Sequence, residues 1–99
     1  MEQHYLAIVV PETTGGWSVL FPDLPGCATH GATVREAIAN ASNAASAWLT
    51  VTLQLGDEIP APKSYKEVRT YEAWARDRGI DWSTAVISLV PVTFPANDS

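Results

Sequence analysis

Cys27 and His30 are the residue types that a thiol–imidazole nucleophile needs, and they stand three positions apart. In an extended segment an odd separation turns two side chains to opposite faces, so the spacing predicts a small buried thiol and a partly exposed imidazole, not a reacting pair. Metal-dependent phosphodiester chemistry would need several carboxylates converging from strand and helix ends. Near the first strands and the start of the main helix the only acids are Glu12, Asp23 and Glu36. Glu36 reads as a helix-cap residue, and Asp23, inside Pro22-Asp23-Leu24-Pro25-Gly26, reads as an Asx-type turn stabiliser whose carboxylate accepts the amides that follow. Tyr65, Tyr71, Trp74 and Trp82 lie among basic residues, as a stacking surface for single-stranded nucleic acid would, but core packing accounts for them more simply. The inventory predicts a binding protein that is not an enzyme and uses no metal or cofactor.

Charge narrows the class of partner. The net charge is −5, yet Lys63, Lys66, Arg69, Arg76 and Arg78 crowd one stretch, leaving residues 63–79 at about +2 and the remainder at −7. Such a body repels phosphate backbones and suits a basic protein. One cysteine excludes an internal disulfide and a CxxC metal knuckle. No apolar run approaches the roughly 20 residues of a membrane span, and the N-terminus lacks a signal-peptide pattern, so a soluble, cytoplasmic chain is expected.

The elements that position these residues follow from periodicity. At 99 residues and 46% hydrophobic content the chain supports one core, hence a single domain over 1–99. Tyr5 to Val10 is apolar on both alternating faces, a strand covered on each side and central in its sheet, stopped by Pro11. Gly15-Gly16 supplies a hairpin turn into Trp17 to Phe21, and the Pro22 to Gly26 turn leads to a short strand, Cys27 to His30, completing a meander over 4–31. Thr33 and Glu36 have capping-box spacing, opening a main helix over 33–55. Its apolar stripe contains Val34, Ala37, Ile38, Ala41, Ala45, Trp48, Leu49 and Thr52, while Ser42 and Ser46 fall on other faces. Gly56 ends it, a proline-rich connector spans 57–62, and Ser64 with Glu67 opens a second helix over 64–78. The last strand, 85–94, contains Pro91 and belongs at an edge. Treating the crossover as a right-handed return to a parallel strand beside the first gives sheet order 3-2-1-4, an α+β fold with the main helix on one face.

The run from Phe21 to Ala41, with the Gly15-Gly16-Trp17 turn before it and Trp48-Leu49 and Gly56 to Pro62 after it, resembles the HicB antitoxin family. The resemblance covers about the first 62 residues well and the Ala85 to Val92 strand more loosely. It implies a degenerate ribonuclease-H-like β-β-β-α-(α)-β domain that neutralises a small basic messenger-RNA endoribonuclease, the HicA toxin. Many members continue into a DNA-binding module, but only five residues follow Phe94, so no direct DNA binding is expected of this chain. The residues assigned to the partner surface are Glu12, Pro22, Asp23, Leu24 and His30. Val90, Val92, Tyr71 and Trp74 are assigned to contacts in a homodimer or larger assembly. The alternatives are a regulatory domain binding a small molecule near the Pro22 to Gly26 turn, and a vestigial ribonuclease-H-like hydrolase.

Overall fold

The computed structural model describes residues 2–64, 66–67 and 72–95, and describes residues 72–74 by their backbone alone. Strands β1 (Glu2–Pro11), β2 (Trp17–Leu20) and β3 (Ala28–Gly31) precede helix α1 (Val34–Gln54), a short helix α2 (Glu72–Asp77) and strand β4 (Val86–Thr93). They form one four-stranded sheet of order β3-β2-β1-β4, as the sequence predicts. Every neighbouring pair is antiparallel, including β1 with β4, where Glu2 faces Thr93 and Val9 faces Val86. The expected parallel return is therefore corrected. After α1, Pro60 and Lys63 lie by Tyr5 and Asp23, whereas Ile80 to Ala85 pack on the opposite face of the sheet and β4 starts beside Val9, at the far end of β1, so it runs antiparallel to β1.

The apolar runs go where their alternation sends them. Tyr5, Ala7 and Val9 face α1, joined by Val19, Val90, Val92 and Phe94 in the main core. Leu6 and Ile8 face the other way, under Ile80, Trp82, Ala85 and Ile87. Both faces of β1 are thus buried, each fully buried aliphatic side chain contributing on the order of 2 kcal/mol. Pro11 extends β1 instead of stopping it, pairing with Trp17 where the ladder ends and a missing N–H does least harm.

Ala37, Ala41, Ala45, Leu49 and Thr52 form the buried stripe of α1. Small side chains let the helix lie close to the sheet, and the limit is reached at Gly31, where a Cβ would come within 2.3 Å of the Ala37 nitrogen. The Thr33 hydroxyl accepts the Glu36 N–H at 3.1 Å, supplying the expected cap. Ser42 and Ser46 are not solvent-facing as their wheel positions suggest: they flank the stripe and donate to the carbonyls of Pro91, at 2.7 Å, and Thr93. On the opposite flank, Asn40 donates to the His30 carbonyl on β3 at 2.9 Å. α1 is thereby tied to both edge strands.

Ser64 and Glu67 make the predicted reciprocal capping box, Ser64 N–H to Glu67 Oε1 at 3.1 Å and Glu67 N–H to Ser64 Oγ at 3.2 Å. Most of the middle of the expected 64–78 helix lies outside the described residues; α2 forms its end, with Ala75 buried. No helix among the described residues is long and apolar enough to cross a membrane.

Candidate partner-binding surface

The Pro22 to Cys27 turn closes on itself through backbone groups, Leu24 N–H to Phe21 O and Cys27 N–H to Leu24 O. With those amides satisfied, the Asp23 carboxylate reaches across the fold instead of forming the expected Asx turn. Its side chain is fully buried, Oδ2 accepts the Lys63 backbone N–H at 2.9 Å, and Oδ1 meets Lys63 Nζ at 3.2 Å. Beside it the Tyr5 hydroxyl donates to the Pro60 carbonyl at 2.6 Å. Burial, and then the negative charge of Asp23, push the Tyr5 phenol above its ordinary range, so it stays a donor. Together Asp23 and Tyr5 clasp the proline-rich connector onto the core.

This geometry divides the residues assigned to the partner surface. Asp23 and Leu24 are buried and their side chains serve the chain's own interior. Pro22 is half-buried beside them, whereas Glu12 and His30 are exposed at the other end of β2. Val90 and Val92 are fully buried in the main core, which removes their side chains from any contact between copies. Tyr71 and the Trp74 side chain lie outside the described residues.

Cys27 and His30 part as their spacing predicts. Cys27 is buried, which raises its thiol pKa, and His30 is exposed, its imidazole against Gly16, where a Cβ would approach to 2.6 Å. Among the described residues no group of three or more His, Cys, Asp or Glu side chains could hold a metal ion.

The feature that residue-by-residue reading missed is a groove. Trp48 Nε1 donates to the Pro25 carbonyl at 3.1 Å and fixes the turn against α1. Below that bond an open cleft of about 600 Å³ runs between the exposed side of α1 and Gly26 to Ala28, lined by Ala44, Trp48, Val51 and Leu55 and closed at one end by Asp57 and Glu58. Val51 is 51% exposed and Leu55 72%, two of the three large exposed hydrophobics among the described residues. A helical wheel sets Val51 off the buried stripe, whereas Leu55 falls in line with the stripe and is exposed because it is the C-cap, past the last residue of α1.

Fold and surface together can be set beside known proteins. The profile of the family described as the HicB-like antitoxin of bacterial toxin–antitoxin systems matches residues 5–96. The chain belongs to the HicB-like antitoxin family. Several solved structures share its fold. A chain of a toxin–antitoxin complex from Streptococcus pneumoniae is 21% identical, with a TM-score of 0.77 covering 100% of this chain and 77% of that one. The N-terminal domain of the Burkholderia pseudomallei antitoxin HicB is 27% identical, with a TM-score of 0.66 covering 94% and 99%. A chain of a HicA3 and HicB3 toxin–antitoxin complex is 18% identical, with a TM-score of 0.63 covering 95% and 100%. No functionally curated protein is matched by the sequence.

Proposed function

We propose that this HicB-like chain is the inhibitory member of a toxin–antitoxin pair. It binds a small basic messenger-RNA endoribonuclease of the HicA type stoichiometrically and covers the surface that meets RNA, with no reaction of its own and no cofactor. The family match over residues 5–96 carries the reading. Two of the structural neighbours are toxin–antitoxin complexes, which supports a toxin as the partner. An acidic body with a net charge of −5 favours fast capture of a basic protein. The proposal includes action in the cytoplasm, as a homo-oligomer, with no direct contact to DNA from residues 1–99.

A second reading, a regulatory domain for a small molecule, gains one observation: the groove adjoins the Pro22 to Gly26 turn where that ligand was expected. Small-molecule sites, however, enclose most of the ligand around convergent polar groups. This groove lies open along α1 and gathers its charged groups at one end, a shape that favours a protein surface.

Co-expression with the small basic protein encoded beside the chain tests the proposal. Growth rescue and recovery of a stoichiometric complex are expected. An active toxin that this chain neither binds nor silences would remove the antitoxin reading.

A further inference from the structure

We infer that the groove between α1 and Gly26 to Ala28 is where the basic partner protein docks, an apolar side chain of the partner seating against Trp48, Val51 and Leu55 while its lysines or arginines lie over Asp57 and Glu58. The inference rests on the antitoxin reading for the partner's identity and adds the surface and the chemistry of contact.

Three observations converge on it. The first is the apolar floor. Val51 and Leu55 expose large side chains one helical turn apart, and Trp48, one position short of a turn before Val51, is held in place by its bond to the Pro25 carbonyl. A fixed tryptophan loses little freedom on binding, and such residues carry much of the energy of protein interfaces. The second is charge. Asp57 and Glu58 are exposed at one end of the groove, no basic residue lines it among the described residues, and the last turn of α1 contains no basic residue to offset the partial negative charge of its C-terminus. Three sources of negative potential therefore meet beside an apolar surface, which selects a partner with cations flanking an apolar side chain. The third is that the rest of the surface formed by the described residues offers less. The end of β4 is an edge whose Pro91 has no N–H and whose Pro91 and Thr93 carbonyls are engaged by Ser42 and Ser46. Its exposed Leu89 stands alone among the large exposed hydrophobics outside the groove among the described residues.

The test measures affinity for a catalytically inactive form of the HicA-type protein encoded beside the chain, by titration calorimetry at low and high salt. Four versions of the full chain are compared with the unaltered one: Val51→Ser with Leu55→Ser, Asp57→Lys with Glu58→Lys, and the controls Leu89→Ser and Glu2→Lys. All the altered positions are exposed, and circular dichroism and thermal melting verify that each version folds. The double serine version should bind at least about thirtyfold more weakly at both salt concentrations. The double lysine version should lose at least about tenfold at low salt and less at high salt, where screening shortens the reach of charge. Both controls should stay within about threefold of the unaltered chain.

Tight binding by the unaltered chain with no loss in either groove version overturns the docking site and leaves the antitoxin reading standing. No binding by the unaltered chain removes the antitoxin reading, and the assigned occupant with it. Self-association that Val51→Ser with Leu55→Ser abolishes, with toxin affinity unchanged, would give the groove to a second copy and overturn the inference.

Discussion

The Asp23 carboxylate is buried, and Lys63 approaches it with both its backbone N–H and its ammonium. The two contacts differ in worth. Replacing Asp23 with Ala strips the Lys63 amide of this acceptor and frees the connector, a loss of about 1–3 kcal/mol. Lys63→Met keeps the amide contact and removes only an ammonium whose side chain is 38% exposed, so it should cost under about 1 kcal/mol. Urea denaturation of the two variants checks the order, and an equal loss would mean that the ion pair rather than the backbone contact holds the connector. From the sequence Asp23 reads as both a turn stabiliser and a partner contact; its carboxylate is structural, but it serves a distant amide and not those of its own turn. The sequence could not show which amide, since the partner lies 40 residues away and nothing in either segment's pattern links them.

At the level of elements, the closest approach is β3 to the start of α1. Gly31→Ala places a methyl group within 2.3 Å of the Ala37 nitrogen and 2.6 Å of its Cα, atoms of a helix backbone that cannot turn aside. The variant should lose about 1–3 kcal/mol or more, as overpacked cores do, seen as a fall in melting temperature. Ser42→Ala with Ser46→Ala removes the hydroxyls that bind β4 and should cost about 1 kcal/mol for each hydrogen bond lost. Amide exchange should then rise in β4 more than in β2, and uniform exchange across the sheet would refute the view that these serines guard that edge. Sheet order and the centrality of β1 were legible because a strand buried on both faces, such as Tyr5 to Val10, announces itself by lacking a polar side. The direction of β4 was not, because handedness applies to a single crossover, and no residue pattern shows that β4 would start beside Val9, at the far end of β1 from the Pro60 and Lys63 contacts. Ser42 and Ser46 fall off the buried stripe as the helical wheel sorts them, but the wheel could not show that, at its margin, their hydroxyls reach the carbonyls of β4.

For the molecule as a whole, the burial that builds the core also limits the pH range over which it stays folded. Tyr5 and Cys27 both have pKa values raised by burial, from ordinary values of 10.0 and 9.0. A raised folded-state value means that the unfolded chain gives up the proton first. The stabilisation is therefore complete below the ordinary value and is lost as pH climbs through the folded one. Decline should begin near pH 9 with the thiol and steepen above 10 with the phenol. On the acid side Glu67, bound to Ser64, and Asp81, bound to Ser83, have lowered values, so their stabilisation is complete above the ordinary carboxylate range and fades as pH falls through their folded values. Both carboxylates are exposed and cap local turns, whereas Tyr5 joins the core to the connector through Pro60. The alkaline limb should therefore be the steeper one. Urea midpoints from pH 2 to 11 for the unaltered chain and for Tyr5→Phe decide the matter. Tyr5→Phe should lower the midpoint at neutral pH by the worth of one hydrogen bond, about 1 kcal/mol, and flatten the decline above pH 10. A decline as steep without the hydroxyl would place the alkaline sensitivity elsewhere and leave the clasp a contact that holds the connector without setting the pH range.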